Sequence, residues 1–202
     1  MSDIKKIGIL VFNDVELLDF AGPLQVFSAA HYVDDDLLGS PLTIGTKSKV
    51  RVSKSKISIT CNKRISSRIK LDLFIIPGGF GTRPILEDKK LLAKIDKIIV
   101  NSKVTASVCT GALILAKLGY LENRTATTHF GAVDLMQSLD DTITIDRTKR
   151  YIDHGDIITA EGVSAGIDMS FYLLEKFYGK LLSDEVRKYI EYYPEGVEKT
   201  KG

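Results

Sequence analysis

Cys109-Thr110 stands between two apolar segments of opposite habit. Lys103-Val-Thr-Ala-Ser-Val108 has the β-branched character of a buried strand and Gly111-Ala-Leu-Ile-Leu-Ala116 that of a helix, so the cysteine must occupy the sharp turn joining them. A thiol so placed meets the unpaired N–H groups and the positive end of the helix, which favour thiolate and predict a lowered pKa. The same turn sets the side chain outside the carboxyl end of a sheet, where open α/β folds bind ligands. Ser107-Val-Cys-Thr-Gly111 on its own is equally compatible with a cysteine buried for packing.

Two other strand ends carry groups that could serve such a thiol. Ile75-Ile-Pro-Gly-Gly-Phe-Gly81 closes a strand with three glycines in four positions, Gly78, Gly79 and Gly81. Bare backbone N–H groups there could approach a ligand and stabilise developing negative charge; a plain tight turn would read the same way. Asn13-Asp-Val-Glu-Leu-Leu-Asp-Phe-Ala-Gly-Pro23 follows the first strand and puts a carboxylate, Asp19, where the chain returns to the strand-end surface ahead of a helix. Asp19 would act there as an acid or cap the helix. His31, His129, His154, Cys61 and Cys109 show no metal-ligand spacing, so no metal is expected.

The elements that must hold these groups follow from hydrophobic pattern. Residues 7–12, 42–46, 73–76 and 104–108 read as strands buried on both faces, and residues 24–32, 89–101 and 111–118 as helices between them. Leu91, Leu92, Ile95, Ile98 and Ile99 share one face of the second helix. Such alternation predicts an α/β domain with a mostly parallel sheet and right-handed crossovers. Further on, strands are expected at 124–128, 142–145, 150–153 and 157–159, with helices at 132–138, 164–178 and 183–192. Asp153-His-Gly-Asp156 reads as a hairpin turn, Gly179 as a helix C-cap, and Ser183-Asp-Glu as an N-cap with an acidic first turn. Ile167, Met169, Phe171, Leu173 and Leu174 read as a buried helix face, and the polar tail from Pro194 as frayed.

Composition narrows the class. The chain has 202 residues, 28 Lys+Arg against 26 Asp+Glu, and 44% hydrophobic residues, as expected of one globular domain over 1–202 with its own core. No apolar run approaches the ~20 residues of a membrane span, and the opening Met-Ser-Asp-Ile-Lys-Lys is unlike a signal peptide, so a cytoplasmic protein without a membrane anchor is expected. A net charge of +2 gives no general reason to expect nucleic acid. Residues 47–70 nevertheless hold nine basic residues and no acidic one. Val50-Arg-Val52 and Lys56-Ile-Ser-Ile-Thr60 alternate as a hairpin with one wet face would, and no aromatic residue interleaves the charges as single-strand stacking requires.

A set of motifs in fixed order completes the reading: Leu18-Asp-Phe-Ala-Gly-Pro23, Ile76-Pro-Gly-Gly79, Ser107-Val-Cys-Thr-Gly111, Ala126-Thr-Thr-His-Phe130, residues 159–162 and Ser164-Ala-Gly-Ile-Asp168. Through them nearly the whole chain resembles the DJ-1/PfpI superfamily, class I glutamine-amidotransferase-like, and within it the isonitrile hydratases. The resemblance implies a three-layer α/β/α sandwich of flavodoxin-like type with the small β-hairpin added, a homodimer, and Cys109 as nucleophile. It implies Asp19 as the acid that hydrogen-bonds the cysteine, with Glu16 a competitor in the same segment. Amides of Gly78, Gly79 and Thr110 would surround developing charge, and the Thr110 hydroxyl lies at a position linked to activity in the hydratases. The Cys109 thiolate would attack the terminal carbon of an isonitrile, Asp19 would protonate the intermediate, and water would release an N-substituted formamide without any cofactor.

Departures and silences remain. Peptidase-like members carry a His directly after the cysteine, where this chain has Thr110, which weakens a protease reading. His129 matches the family's Thr-His motif and would be a base, an orienting group or pocket wall. Phe12, Phe20, Phe80 and Phe130 could line a pocket or belong to the core, Asp168 reads as a structural hydrogen-bonding group, Cys61 as an incidental thiol, and His31 and His154 as surface residues. Besides hydration of an isonitrile or related small electrophile, two other readings stand: DJ-1-like glyoxalase, deglycase or oxidation-sensing chemistry at Cys109, and a non-enzymatic ligand-sensing module. The superfamily domain is fused to helix-turn-helix regions in AraC-type regulators, and a chain ending at Gly202 is expected to need a separate partner for that role.

Overall fold

A computed structural model describes residues 4–53 and 55–194. Its first half runs β1 (Ile7–Val11), α1 (Leu17–Val33), β2 (Leu42–Gly45), β3 (Lys49–Arg51), β4 (Ser58–Thr60), β5 (Lys63–Arg64) and β6 (Leu71–Ile76). The second half runs α2 (Thr82–Glu87), α3 (Lys89–Val100), β7 (Ser102–Val108), α4 (Ala112–Lys117), β8 (Thr125–Ala126), α5 (Val133–Leu139), β9 (Thr144–Ile145), β10 (Tyr151–Asp153), β11 (Ile157–Ala160), α6 (Ala165–Tyr178) and α7 (Lys180–Tyr189). Past Pro194 the tail lies outside the described residues.

Seven strands form the central sheet in the order β10-β11-β7-β6-β1-β2-β5, parallel throughout except for β10. The all-apolar β1 is buried at every position, as a strand covered on both faces requires. From β1 the chain crosses to β2 on one side, then returns to β6 on the other side of β1 and continues to β7. With right-handed crossovers that reversal puts helices on opposite faces: α1, α6 and α7 pack together on one, and α2 to α5 on the other. The reversal also opens a crevice at the carboxyl ends of β1, β6 and β7. The three-layer sandwich is therefore as expected, and β3 and β4 form the small antiparallel hairpin.

Three elements differ from the sequence reading. The first helix begins at Leu17, not at residue 24, and carries Pro23 inside it. Gly22-Pro23 looks like a boundary in sequence, but a helix held by its apolar face tolerates a missing N–H that an isolated helix would not. The last helix begins at Lys180, which puts Ser183 in its interior, fully buried, and not at its cap. Gly179, with φ +91°, reverses the chain so sharply that α7 restarts at once after α6. The expected strand at 124–128 shrinks to β8, paired in parallel with β9. Elsewhere α3 buries Leu92, Ile95, Ile98 and Ile99 and is capped by the Asp88 side chain accepting from the Leu91 N–H at 2.9 Å.

Leu73 is fully buried on β6 at the middle of the sheet. Leu73→Ala is expected to cost about 3 kcal/mol, read as a lowered urea midpoint at unchanged slope. A loss under about 1 kcal/mol would contradict a close-packed centre at this strand.

Candidate active site

At the end of β7 the chain turns through Cys109, whose φ of +57° places a non-glycine residue in the left-handed region. Such a conformation costs roughly 1–3 kcal/mol and persists only where its surroundings hold it. Here the Cys109 N–H donates to the Glu161 carbonyl at 2.8 Å, and the Thr128 hydroxyl donates to the Cys109 carbonyl at 2.8 Å. The thiol is thereby aimed outside the sheet, as an elbow requires, and is 5% exposed.

Asp19 lies beneath it on the first turn of α1, fully buried. Its Oδ2 accepts the Gly78 N–H at 2.9 Å, its Oδ1 has no hydrogen-bond partner among the described residues, and the carboxyl lies beside the Cys109 thiol. Gly78 is a glycine of necessity, since a Cβ there would stand 2.5 Å from the Thr110 nitrogen and 2.9 Å from Asp19 Oδ2. Asp19 does not cap the helix: Glu16 is the residue at that place, and its side chain does not bond the turn either.

The electrostatics reverse the expectation for the thiol. Burial pushes the Asp19 carboxyl up to about 7 against the downward pull of the Gly78 N–H and the thiol, with the Glu16 charge adding to the rise. Burial, then the Asp19 charge, push Cys109 up to about 12, although the N–H groups of Thr110 and Val163 point toward the sulfur and favour thiolate. A short helix end cannot offset removal from water beside a carboxylate. The pair thus carries one proton over the neutral range, on sulfur or on carboxyl, and loses its first proton near 7.

The glycine loop also serves differently from expectation. The Gly78 N–H is taken by Asp19 and the Gly79 N–H donates to Thr110 Oγ1 at 2.9 Å, so neither is left to receive developing charge. The N–H groups facing the thiol are those of Thr110 and Val163. Val163, at φ +39°, escaped the sequence reading because nothing marks a β-branched residue as left-handed. The Gly79 carbonyl receives the Thr82 hydroxyl at 2.8 Å and Arg83 Nη1 at 3.2 Å. The Thr110 hydroxyl, 3.2 Å from that same oxygen, keeps a proton that a ligand could redirect.

A cavity of about 240 Å³ opens over Cys109 and Thr110. Glu16, Gly79, Phe80 and Arg83 form one part of its lining, and His129, Gly131 and Val163 another. His129 Nδ1 accepts the Gly131 N–H at 3.1 Å, so a neutral ring carries its proton on Nε2. Phe130 packs at a tilt against that ring, 4.4 Å between centroids, while Phe12 and Phe20 belong to the core. Of the four aromatics considered, only Phe80 lines the cavity. Arg83 was missed although it follows the glycine loop by one helical turn, a spacing that could have flagged it. His31 and His154 bond the Leu38 and Thr125 carbonyls away from the cavity, Cys61 is half-buried beside Gly45, and Asp168 is held by Arg150 and the Tyr192 hydroxyl. Among the described residues no three His, Cys, Asp or Glu side chains converge as a metal site, and no helix is long and apolar enough to cross a membrane.

The basic hairpin braces this site. The Asp14 N–H donates to the Arg51 carbonyl at 2.8 Å, the Ser53 N–H to Val15 at 2.9 Å, and Arg51 pairs with Asp14 at 3.2 Å. These bonds fix the connection from β1 to α1 that carries Glu16 and Asp19.

Comparison with known proteins gives concordant results. The profile of the DJ-1/PfpI family matches residues 5–176. Isonitrile hydratase of Pseudomonas putida is 30% identical over 194 residues, 94% of this chain and 79% of that protein. Among solved structures, a THiJ/PfpI family protein from Pseudomonas syringae superposes with a TM-score of 0.82 at 23% identity, covering 100% of this chain and 80% of that one. Drosophila melanogaster DJ-1beta gives 0.79 at 17% identity, covering 93% and 98%.

The raised Asp19 carboxyl has a consequence for stability. Between the ordinary value of 3.8 and about 7 the folded chain holds a proton that the unfolded chain has lost, so this contribution is complete below 3.8 and vanishes as pH rises through 7. The full swing is on the order of 4 kcal/mol. Asp19→Asn removes it, so the stability of this variant relative to wild type should grow from pH 4 to pH 8 in urea titrations. A difference independent of pH would show that Asp19 titrates like a solvated carboxylate.

Proposed function

This chain belongs to the DJ-1/PfpI family, and on that premise we propose that it is a cysteine-dependent hydro-lyase that hydrates an isonitrile to an N-substituted formamide. The observation that carries the reading is the buried contact between the Asp19 carboxyl and the Cys109 thiol at the floor of a small cavity. The relative from Pseudomonas putida, an isonitrile hydratase, supports the substrate class. The reading takes the protein as a cytoplasmic homodimer acting on a small electrophile, without an organic cofactor.

An isonitrile carbon accepts a nucleophile and then a proton at the same atom. Within the singly protonated pair, the thiol proton passes to Asp19 as the sulfur forms a bond to that carbon, and Asp19 then delivers it to the carbon. The product is a thioimidate, R–N=CH–S–Cys109, and Asp19 is left ionised. Carriage of one proton from sulfur to carbon is the task suited to a carboxyl poised near neutrality that faces the sulfur. The Thr110 hydroxyl, fixed by the Gly79 N–H, is placed to donate to the substrate nitrogen as charge gathers there. Gly78 fixes the Asp19 carboxyl, and His129 contributes wall and an Nε2 donor. Water attack on the thioimidate then expels sulfur and yields the formamide.

Formamide release from an aryl isonitrile, followed by chromatography, tests the reading. Wild-type protein should turn over, and Cys109→Ala should abolish turnover. For wild type, kcat/KM should rise tenfold per pH unit below about 7 and level above it, because the doubly protonated pair has no route to thiolate. Asp19→Asn should be slowed by at least roughly a hundredfold and lose that break. Wild-type protein with a reduced thiol that releases no formamide would overturn the assignment.

A further inference from the structure

The second half of the reaction needs a base for water, and Asp19 cannot provide one. It is fully buried, does not line the cavity, and has one oxygen held by Gly78 beneath the sulfur that a thioimidate would occupy. His129 is also excluded in its neutral form, because Nδ1 is occupied by the Gly131 N–H and Nε2 bears the proton. Arg83 has no lone pair to offer, and the Thr110 oxygen already accepts from Gly79. One ionisable acceptor in the lining remains, Glu16.

We propose that Glu16 is the general base that activates the hydrolytic water at the thioimidate, a role separate from the proton relay of Asp19. The proposal rests on the hydration reading above. Glu16 is half-buried, lines the same cavity as Cys109, and its carboxylate makes no hydrogen bond or ion pair among the described residues. Its backbone is nonetheless fixed, since its N–H donates to the Gly78 carbonyl at 3.0 Å and its neighbour Val15 bridges both Gly79 and Val52. An acceptor on a pinned backbone with open lone pairs, in a cavity large enough for a small substrate and a water, is what base catalysis requires. The water oxygen bonds the thioimidate carbon while one of its protons passes to Glu16. The C=N electron pair moves to nitrogen, which takes that proton back from Glu16. The tetrahedral adduct then breaks its C–S bond, and its hydroxyl proton goes by way of Glu16 to the departing sulfur. Formamide and thiol result, and every proton is accounted for.

Glu16→Gln keeps the shape, breaks no existing bond of the carboxylate, and removes the base. With an aryl isonitrile, intact-mass spectrometry should show this variant accumulating an adduct heavier by one substrate mass, while kcat falls at least roughly a hundredfold. KM should fall in parallel and leave kcat/KM nearly unchanged, because adduct formation is untouched and only its breakdown is slowed. Glu16→Asp should recover part of kcat. A Glu16→Gln protein that turns over at the wild-type kcat, or that loses kcat/KM without accumulating adduct, overturns the proposal while wild-type turnover leaves the hydration reading standing. Absence of formamide from wild-type protein would instead bring down that reading and this inference with it.

Discussion

Everything at this site depends on two acidic groups sharing a place without water. A carboxyl and a thiol in contact inside a protein cannot both ionise at neutral pH, and burial raises both. The chain answers with one backbone N–H, that of Gly78, on one carboxyl oxygen, and leaves the other without a hydrogen bond among the described residues. Full neutralisation, as by an Arg beside Asp19, would trap the carboxyl as an anion and end its ability to carry a proton. Under-satisfaction is therefore the working condition of the pair, and the surrounding fold must tolerate its cost.

That tolerance comes from the topology. Asp19 enters from α1, Gly78 from the end of β6 and Cys109 from the end of β7, three segments the reversal beside β1 brings to one edge of the sheet. The strands behind them are buried along the halves that lead into the site, which holds the strand ends together. The left-handed turn at Cys109 is held by Glu161 and Thr128, and the segment bearing Asp19 by the β3–β4 hairpin. The basic residues of that hairpin, suggestive of a partner surface when seen as a charge run, include Arg51 in an ion pair with Asp14.

Much of this was legible in the sequence, and the gaps have physical causes. Strand-then-helix punctuation located Cys109, and the acid ahead of Gly22-Pro23 located Asp19, because both depend on local pattern. The start of α1 was misplaced because proline penalties are local whereas the packing that overrides them is not. The thiol was expected to be acidic because a helix terminus is visible in sequence and the depth of burial is not. The Gly78 and Gly79 amides looked free because their partners, Asp19 and Thr110, sit 59 and 31 residues away. Val163 was invisible for the same reason, its conformation being imposed from outside.

Glu16 and Asp19 show most plainly what burial adds to sequence. They are three residues apart at the start of one helix, chemically near-equivalent, and read as competitors for a single role. They nonetheless lie at different depths, since Glu16 is the extended cap residue ahead of α1 and Asp19 belongs to its first turn. That difference puts Asp19 under the thiol and leaves Glu16 at the cavity wall. Asp19, raised to about 7 by burial, suits the carriage of a proton to and from the sulfur, while Glu16 stands where a water in the cavity can reach it. The residues stop competing once depth is known: the reaction's two halves need opposite properties of a carboxyl, and the cap and first turn of α1 present one each.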